Sequence, residues 1–160
     1  MKTIAFDQAT VHTGWSVFEG SSLKRQGLLD ASNAPCRLTG MAELIFRKID
    51  ETIPDLVVIE DTAYQSNANI YKVLCQLQGT IIGHCVECGI PYMILAPTAW
   101  RKKLGFEQGN LKRPELKRLA VDYVEGIYGI RVSDDIAEAV CIGIAATQKE
   151  KKDYEEERQR

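Results

Sequence analysis

At 160 residues, with 45% hydrophobic and 26% charged residues, the chain is long enough for one globular domain that buries about 70% of its unfolded surface. It lacks any run of roughly 20 apolar residues that would span a bilayer and any basic-then-apolar leader, so a cytosolic, membrane-free protein is expected. The net charge of −2 does not exclude nucleic acid, since carboxylates used for metal offset cations that face phosphate.

The first elements are strands over residues 2–7 and 12–18, rich in β-branched and aromatic residues and separated by the turn Gln8-Ala9-Thr10-Val11. A third strand over 21–29 follows Gly20. Residues 35–52 carry one apolar stripe, from Leu38 through Met41, Leu44, Ile45, Phe46 and Ile49, and are read as a helix. Leu56 to Glu60 is an almost continuous apolar run, as in a strand buried on both faces. A long helix starting at Asn67 or Asn69 and ending before Gly89 comes next, then a strand over 91–96. Thr98 to Leu104 makes a short helix, and residues 105–110 a loop expected to be mobile. Helices over 114–128, opened by Pro114 and closed by Gly129, and from Ser133 past Ala146 complete an α/β pattern. One domain over 1–160 is expected, with 149–160 a charged tail.

The five cysteines lie mostly in apolar runs and are read as reduced thiols. Cys85 and Cys88 form a C-x-x-C. With two histidines in the chain and no second cysteine pair, a zinc site lacks obvious ligands, so burial in the core or a subunit contact is the reading.

Chemistry concentrates in acidic residues at element ends. Asp7 closes the first strand, Glu60 closes the fourth, and Asp134, Asp135 and Glu138 open the last helix. Singly, each has an ordinary explanation: a turn residue, a solvated strand end, or helix-dipole partners. Gathered by a fold, they form an all-oxygen cage without histidine or cysteine, which selects Mg²⁺ or Mn²⁺ over zinc. Two such ions about 3.5–4 Å apart serve phosphodiester hydrolysis. Asp135 and Glu138 are three apart and Asp134 and Glu138 four apart on one helix, so spacing leaves open whether Asp134 or Asp135 is the ligand.

Three segments resemble the motifs of RuvC-type Holliday junction resolvases. Phe6-Asp7-Gln8-Ala9-Thr10-Val11-His12-Thr13-Gly14-Trp15 is similar to their opening motif, Val58-Ile59-Glu60-Asp61 to the second, and Asp135-Ile136-Ala137-Glu138-Ala139 with 142–146 to the last. The likeness runs over roughly residues 2–147, in matched order. It implies an RNase H-like fold, a five-stranded mixed sheet with helices on both faces. It also implies a homodimer with two active sites that nick opposed strands of a four-way junction, each binding two Mg²⁺ through Asp7, Glu60, Asp135 and Glu138. Two departures stand out: Glu138 replaces the usual Asp, and Gln8-Ala9 replaces the commoner Pro-Gly, which predicts a less rigid first motif. These features point outside the main cellular branch, with phage origin, and hence a host-cell cytoplasm, as one reading.

Arg101, Lys102, Lys103, Lys112, Arg113, Lys117 and Arg118 put seven cations in a short stretch. A solvated helix face explains them alone; with the resemblance, DNA phosphates do. Tyr64 is placed to stack on an unpaired base, with Tyr71 as alternative. Ser66, Asn67 or Asn69 is expected at the scissile phosphate. Trp100 is read as either a DNA-facing or a core residue, and Phe106 as a junction wedge or a helix cap. The helix from Ile70 to Val86 is the candidate dimer contact. The expected function is metal-dependent cleavage of four-way junctions and other branched DNA. The alternatives are an RNase H-like nuclease on RNA or RNA–DNA hybrid, and a junction-binding module that does not cut.

Overall fold

The computed structural model describes residues 1–64, 67–106 and 108–148. The expected tail, 149–160, and Ser66 lie outside them. Five strands, β1 (Lys2–Asp7), β2 (His12–Glu19), β3 (Ser22–Asp30), β4 (Leu56–Glu60) and β5 (Tyr92–Leu95), form one mixed sheet in the order β3-β2-β1-β4-β5. β1, β2 and β3 are antiparallel, whereas β4 runs parallel to both β1 and β5. The helices are α1 (Arg37–Thr52), α2 (Ala68–Glu87), α3 (Pro97–Lys103), α4 (Arg113–Tyr128) and α5 (Asp134–Thr147). This is the expected five-stranded α/β architecture, with element ends shifted by one or two residues.

Strand alternation sorts the core into two layers. Ile4, Phe6, Val57 and Ile59 face α1 and α2, against Met41, Ile45, Ile49, Leu77 and Ile81. Ala5, Phe18 and Val58 face the other way, against Trp100 of α3, Ala120 and Val124 of α4, and the inner residues of α5. Both helical layers are needed because β4 is buried on both faces.

α5 is the central helix. It buries nine of its fourteen residues, Ala137 to Ala145 without a break. Two glycines let it lie this close to its neighbours. A Cβ at Gly14 of β2 would come within 1.9 Å of the Asp135 carbonyl oxygen, and one at Gly143 within 2.3 Å of the Phe18 ring. The buried Ser16 hydroxyl donates to the Ala139 carbonyl at 2.7 Å, which fixes the helix lengthwise on β2. Ser133 stands at the N-cap as expected, but its side chain makes no capping bond.

One expectation changes here. The turn after Asp7 is not loose, because side chains replace the stiffness of Pro-Gly. The Thr13 hydroxyl accepts from the Ala9 N–H at 3.1 Å and donates to the Ala9 carbonyl at 2.8 Å. The Gln8 amide oxygen accepts from the Glu60 N–H at 3.1 Å, and its NH₂ donates to the Glu60 carbonyl. After α3, the Gln108 amide donates to the Thr98 carbonyl at 3.0 Å and Phe106 packs edge-on between Trp100 and Tyr123, while Glu107 lies outside the described residues.

Candidate metal and nucleic-acid site

Period-2 alternation explains why two of the carboxylates meet. Asp7 shares a face with Ala5, and Glu60 with Val58, so both lie on the α5 side of the sheet, at the carboxyl ends of neighbouring parallel strands. In open α/β sheets that end is where ligands bind. Gln8 locks the two strand ends together by bridging to the Glu60 backbone.

α5 brings the rest. Carboxylate oxygens of Asp7, Asp135 and Glu138 lie within 4.8 Å of one another. Glu60 lines the same cleft of about 440 Å³, together with Gln8, Asp61, Thr62, Arg101 and Arg113. Its carboxylate accepts from the indole N–H of Trp100 at 2.7 Å, so the fully buried Trp100 is a core residue that also orients a site residue. Asp134 is turned aside and accepts from the Lys117 ammonium at 2.8 Å.

Two cations bond to carboxylates of this group. Arg101 donates through Nη2 to Glu138 at 3.1 Å, and its guanidinium lies 4.7 Å from the Trp100 ring centre. Lys117 also donates to Asp135 at 3.1 Å and stands 3.9 Å from Glu138. Of the other basic candidates, Arg113 also lines the cleft. Lys102, Lys112, Arg113 and Arg118 are exposed, and Lys103, also exposed, donates to the Gln148 carbonyl at 2.9 Å. Arg113, Lys117 and Arg118 line a second groove of about 620 Å³ with Arg131, a cation that sequence reading passed over because it lies outside the basic run.

Beyond β4, Tyr64 is 73% exposed and meets Tyr71 edge-on at 5.4 Å. Asn67 is the N-cap of α2; its Oδ1 accepts from the Asn69 and Ile70 N–H groups at 3.0 and 3.2 Å. Asn69 is exposed in the first turn.

The electrostatics are those of a site short of positive charge. Burial holds Asp7 well above the usual carboxylate range, and the charges of Glu60, Glu138 and Asp135 push it further against the pull of Lys117. Burial lifts Glu60 to about 6, opposed by the Trp100 hydrogen bond and reinforced by Glu138. The Lys117 hydrogen bond holds Asp134 below the usual range. Burial of Lys117 disfavours its charge, but bonds to Asp134 and Asp135 outweigh this and raise its pKa. Clustered, partly desolvated carboxylates with oxygen donors only fit a hard divalent cation, which restores the missing charge.

Two consequences are measurable. Glu60 has an ordinary pKa of 4.5 and a folded value of about 6, so within that window the folded chain binds more protons than the unfolded one. The stability linked to Glu60 is complete below 4.5 and is lost as pH rises through about 6. Mg²⁺ needs the ionised form, so it should raise the melting temperature more at pH 7.5 than at pH 5; equal shifts would contradict this. Replacement Lys117→Ala removes the internal counter-charge. It should lower metal-free stability by about 2 kcal/mol and enlarge the Mg²⁺-induced shift, both read by thermal melts.

No protein-family model matches the chain. RuvC of T. thermophilus, solved in complex with a Holliday junction substrate, superposes with a TM-score of 0.70 over 91% of this chain and 92% of its own, at 17% identity. The chain has the fold of RuvC-type resolvases. The Fowlpox virus resolvase, solved with substrate Holliday junction DNA, shares the RuvC-like fold at a TM-score of 0.65, with 15% identity, over 92% of this chain and 97% of its own. In sequence, the crossover junction endodeoxyribonuclease RuvC of Chloroflexus aggregans is 26% identical over 153 residues, 90% of this chain and 91% of the relative.

Proposed function

We propose that this chain is a metal-dependent, structure-selective endonuclease that nicks four-way junctions and other branched DNA as a homodimer, in the cytosol. The observation that carries the reading is the meeting of Asp7, Asp135 and Glu138, with Glu60 in the same cleft, on a fold shared with proteins solved on Holliday junctions. Mg²⁺, or Mn²⁺ in its place, held by these four carboxylates as a pair of ions would activate water and neutralise charge on the phosphate.

The chain's own groups do the rest. Trp100 orients Glu60, and the Gln8 bridge keeps Glu60 beside Asp7. Asp135 rather than Asp134 is the ligand from the first turn of α5, since Asp135 groups with Asp7 and Glu138 and lines the cleft, whereas Asp134 does neither. Arg101 lines the cleft and Lys117 bonds to Asp135 at its edge, which places both to bind oxygens of the scissile phosphate. Arg113 and Arg118, with Lys102, Lys103 and Lys112, hold the flanking backbone. Tyr64 stacks on a base exposed at the branch, and Asn67 and Asn69 contact the strand beside it. Ser66 shares that role on sequence grounds.

The dimer rests on α2. This twenty-residue helix buries only Leu77, Ile81 and Cys85. It leaves Ile70 and Val86 exposed beside Cys75, Gly79 and Gly83, a face flat enough for a second copy. Sedimentation velocity should give a dimer at micromolar concentration and a monomer for Val86→Glu; a monomeric wild-type chain would contradict the contact.

Cleavage in Mg²⁺ of an end-labelled four-way junction, a flap, a linear duplex and an RNA–DNA hybrid tests the substrate. Junction and flap should be cut and the duplex spared. A hybrid cut in preference to the junction would move the assignment to an RNase H-like activity, and binding without cutting to a recognition module.

A further inference from the structure

The C-x-x-C of α2 does not act as a pair. Cys85 is fully buried in the layer between helices and sheet, and burial pushes its thiol up to about 11. Cys88, at the C-cap of α2, is exposed and faces a different set of partners. One helical turn earlier stands His84, whose Nε2 lies 3.8 Å from the Cys88 sulfur and 2.9 Å from Oδ1 of Asp50 on α1. Ligand atoms of Asp50, His84 and Cys88 all lie within 4.8 Å of one another.

We propose that Asp50, His84 and Cys88 form a zinc site that clamps the end of α2 to α1. The donor set is one oxygen, one imidazole nitrogen and one thiolate, the mixture zinc accepts in a tetrahedral shell, with water in the fourth position. It is the opposite of the all-oxygen cleft beside α5, so the two sites select different metals. His84 and Cys88 are four residues apart and therefore share a helix face. The imidazole is already oriented, because its ring stacks on Phe46 of α1 with centroids 4.2 Å apart and planes 9° from parallel. His84 is only 13% exposed, whereas Asp50 and Cys88 are open to solvent, which gives an ion a path in.

Without metal, His84 and Asp50 make a hydrogen bond. Zinc takes the Nε2 lone pair of the neutral ring, whose proton then sits on Nδ1, and displaces the Cys88 thiol proton to solvent. The site lies on the layer of α1 and α2, across the sheet from the carboxylate cleft, so its action is on stability and on the seating of α2 rather than on the reaction.

Co²⁺ substitution in the full chain, under a reductant that does not bind metal, reads the site directly. A thiolate-to-Co²⁺ band in the near ultraviolet, with tetrahedral visible bands, should saturate at one ion per chain and be displaced by Zn²⁺. It should vanish in Cys88→Ser and weaken strongly in His84→Gln, but persist in Asp7→Asn, which disables the other site. Zn²⁺ should also raise the melting temperature by several degrees in wild type and not in Cys88→Ser, whose metal-free melt should match wild type because the residue is exposed. Absence of the thiolate band, its survival in Cys88→Ser, or Co²⁺ binding lost only in Asp7→Asn would overturn the proposal.

Discussion

Replacing Asp7 by Asn should lower junction cleavage by roughly 10²–10³-fold or more while leaving junction binding intact, and should raise the melting temperature of the metal-free protein. Both effects have one cause. Asp7 is desolvated and surrounded by Glu60, Glu138 and Asp135, so its ionised form is held at a cost to the fold. Asn keeps the shape and removes the charge, which relieves the repulsion and deletes a metal ligand in one step. Activity and stability are therefore opposed at this position. Cleavage kinetics and thermal melts of the same variant check it. Lost activity together with lowered metal-free stability would show that Asp7 is structural, and retained activity would remove it from the site.

The second large effect is expected at Gly14. Its missing side chain is what lets the first turn of α5 touch β2, since a Cβ there would stand 1.9 Å from the Asp135 oxygen, 2.4 Å from its carbonyl carbon and 3.0 Å from the Ile136 nitrogen. These are backbone atoms and cannot rotate away. Gly14→Ala should cost about 3 kcal/mol by overpacking, and should push Asp135 and Glu138 away from Asp7. A displacement near 1 Å would reduce cleavage by roughly 10²-fold even under conditions where the variant is folded. Gly126→Ala makes the contrast: it lies inside α4 with open space around it and should stabilise by up to about 1 kcal/mol with activity unchanged. Chemical denaturation paired with cleavage rates separates the two cases, and a fully active Gly14→Ala would refute the close-approach account.

Much of the fold was legible because it depends on local periodicity. The unbroken apolar run of β4 announced a strand covered on both faces, and the alternation through Ala5-Phe6-Asp7 and Val58-Ile59-Glu60 already carried both carboxylates to one side of the sheet. What could not be read was set by tertiary contact. Spacing on α5 leaves Asp134 and Asp135 equivalent, and the difference arises from how the helix start seats on Gly14, a contact made across 121 residues of sequence. A run of charge does not reveal which members turn inward; Arg101 of α3 and Lys117 of α4 turn toward the carboxylates, bonding to Glu138 and Asp135. Trp100 was ambiguous because a buried indole satisfies the core with its rings and the site with its N–H. Gln8 in place of Pro-Gly predicts a loss of rigidity, yet its amide reaches a strand 52 residues away, a contact no turn propensity encodes.

The cleft proposed here makes paired, metal-dependent nicks in branched DNA. A supercoiled plasmid that extrudes a cruciform tests it in one experiment, with wild-type chain in Mg²⁺, in EDTA, and with Asp7→Asn in Mg²⁺. Two copies acting on opposed strands should convert the plasmid to linear DNA only in the first case, with cuts mapping to the cruciform base. Plasmid left supercoiled in both Mg²⁺ and Mn²⁺, although the protein binds it, or linear product that survives EDTA, would contradict the account.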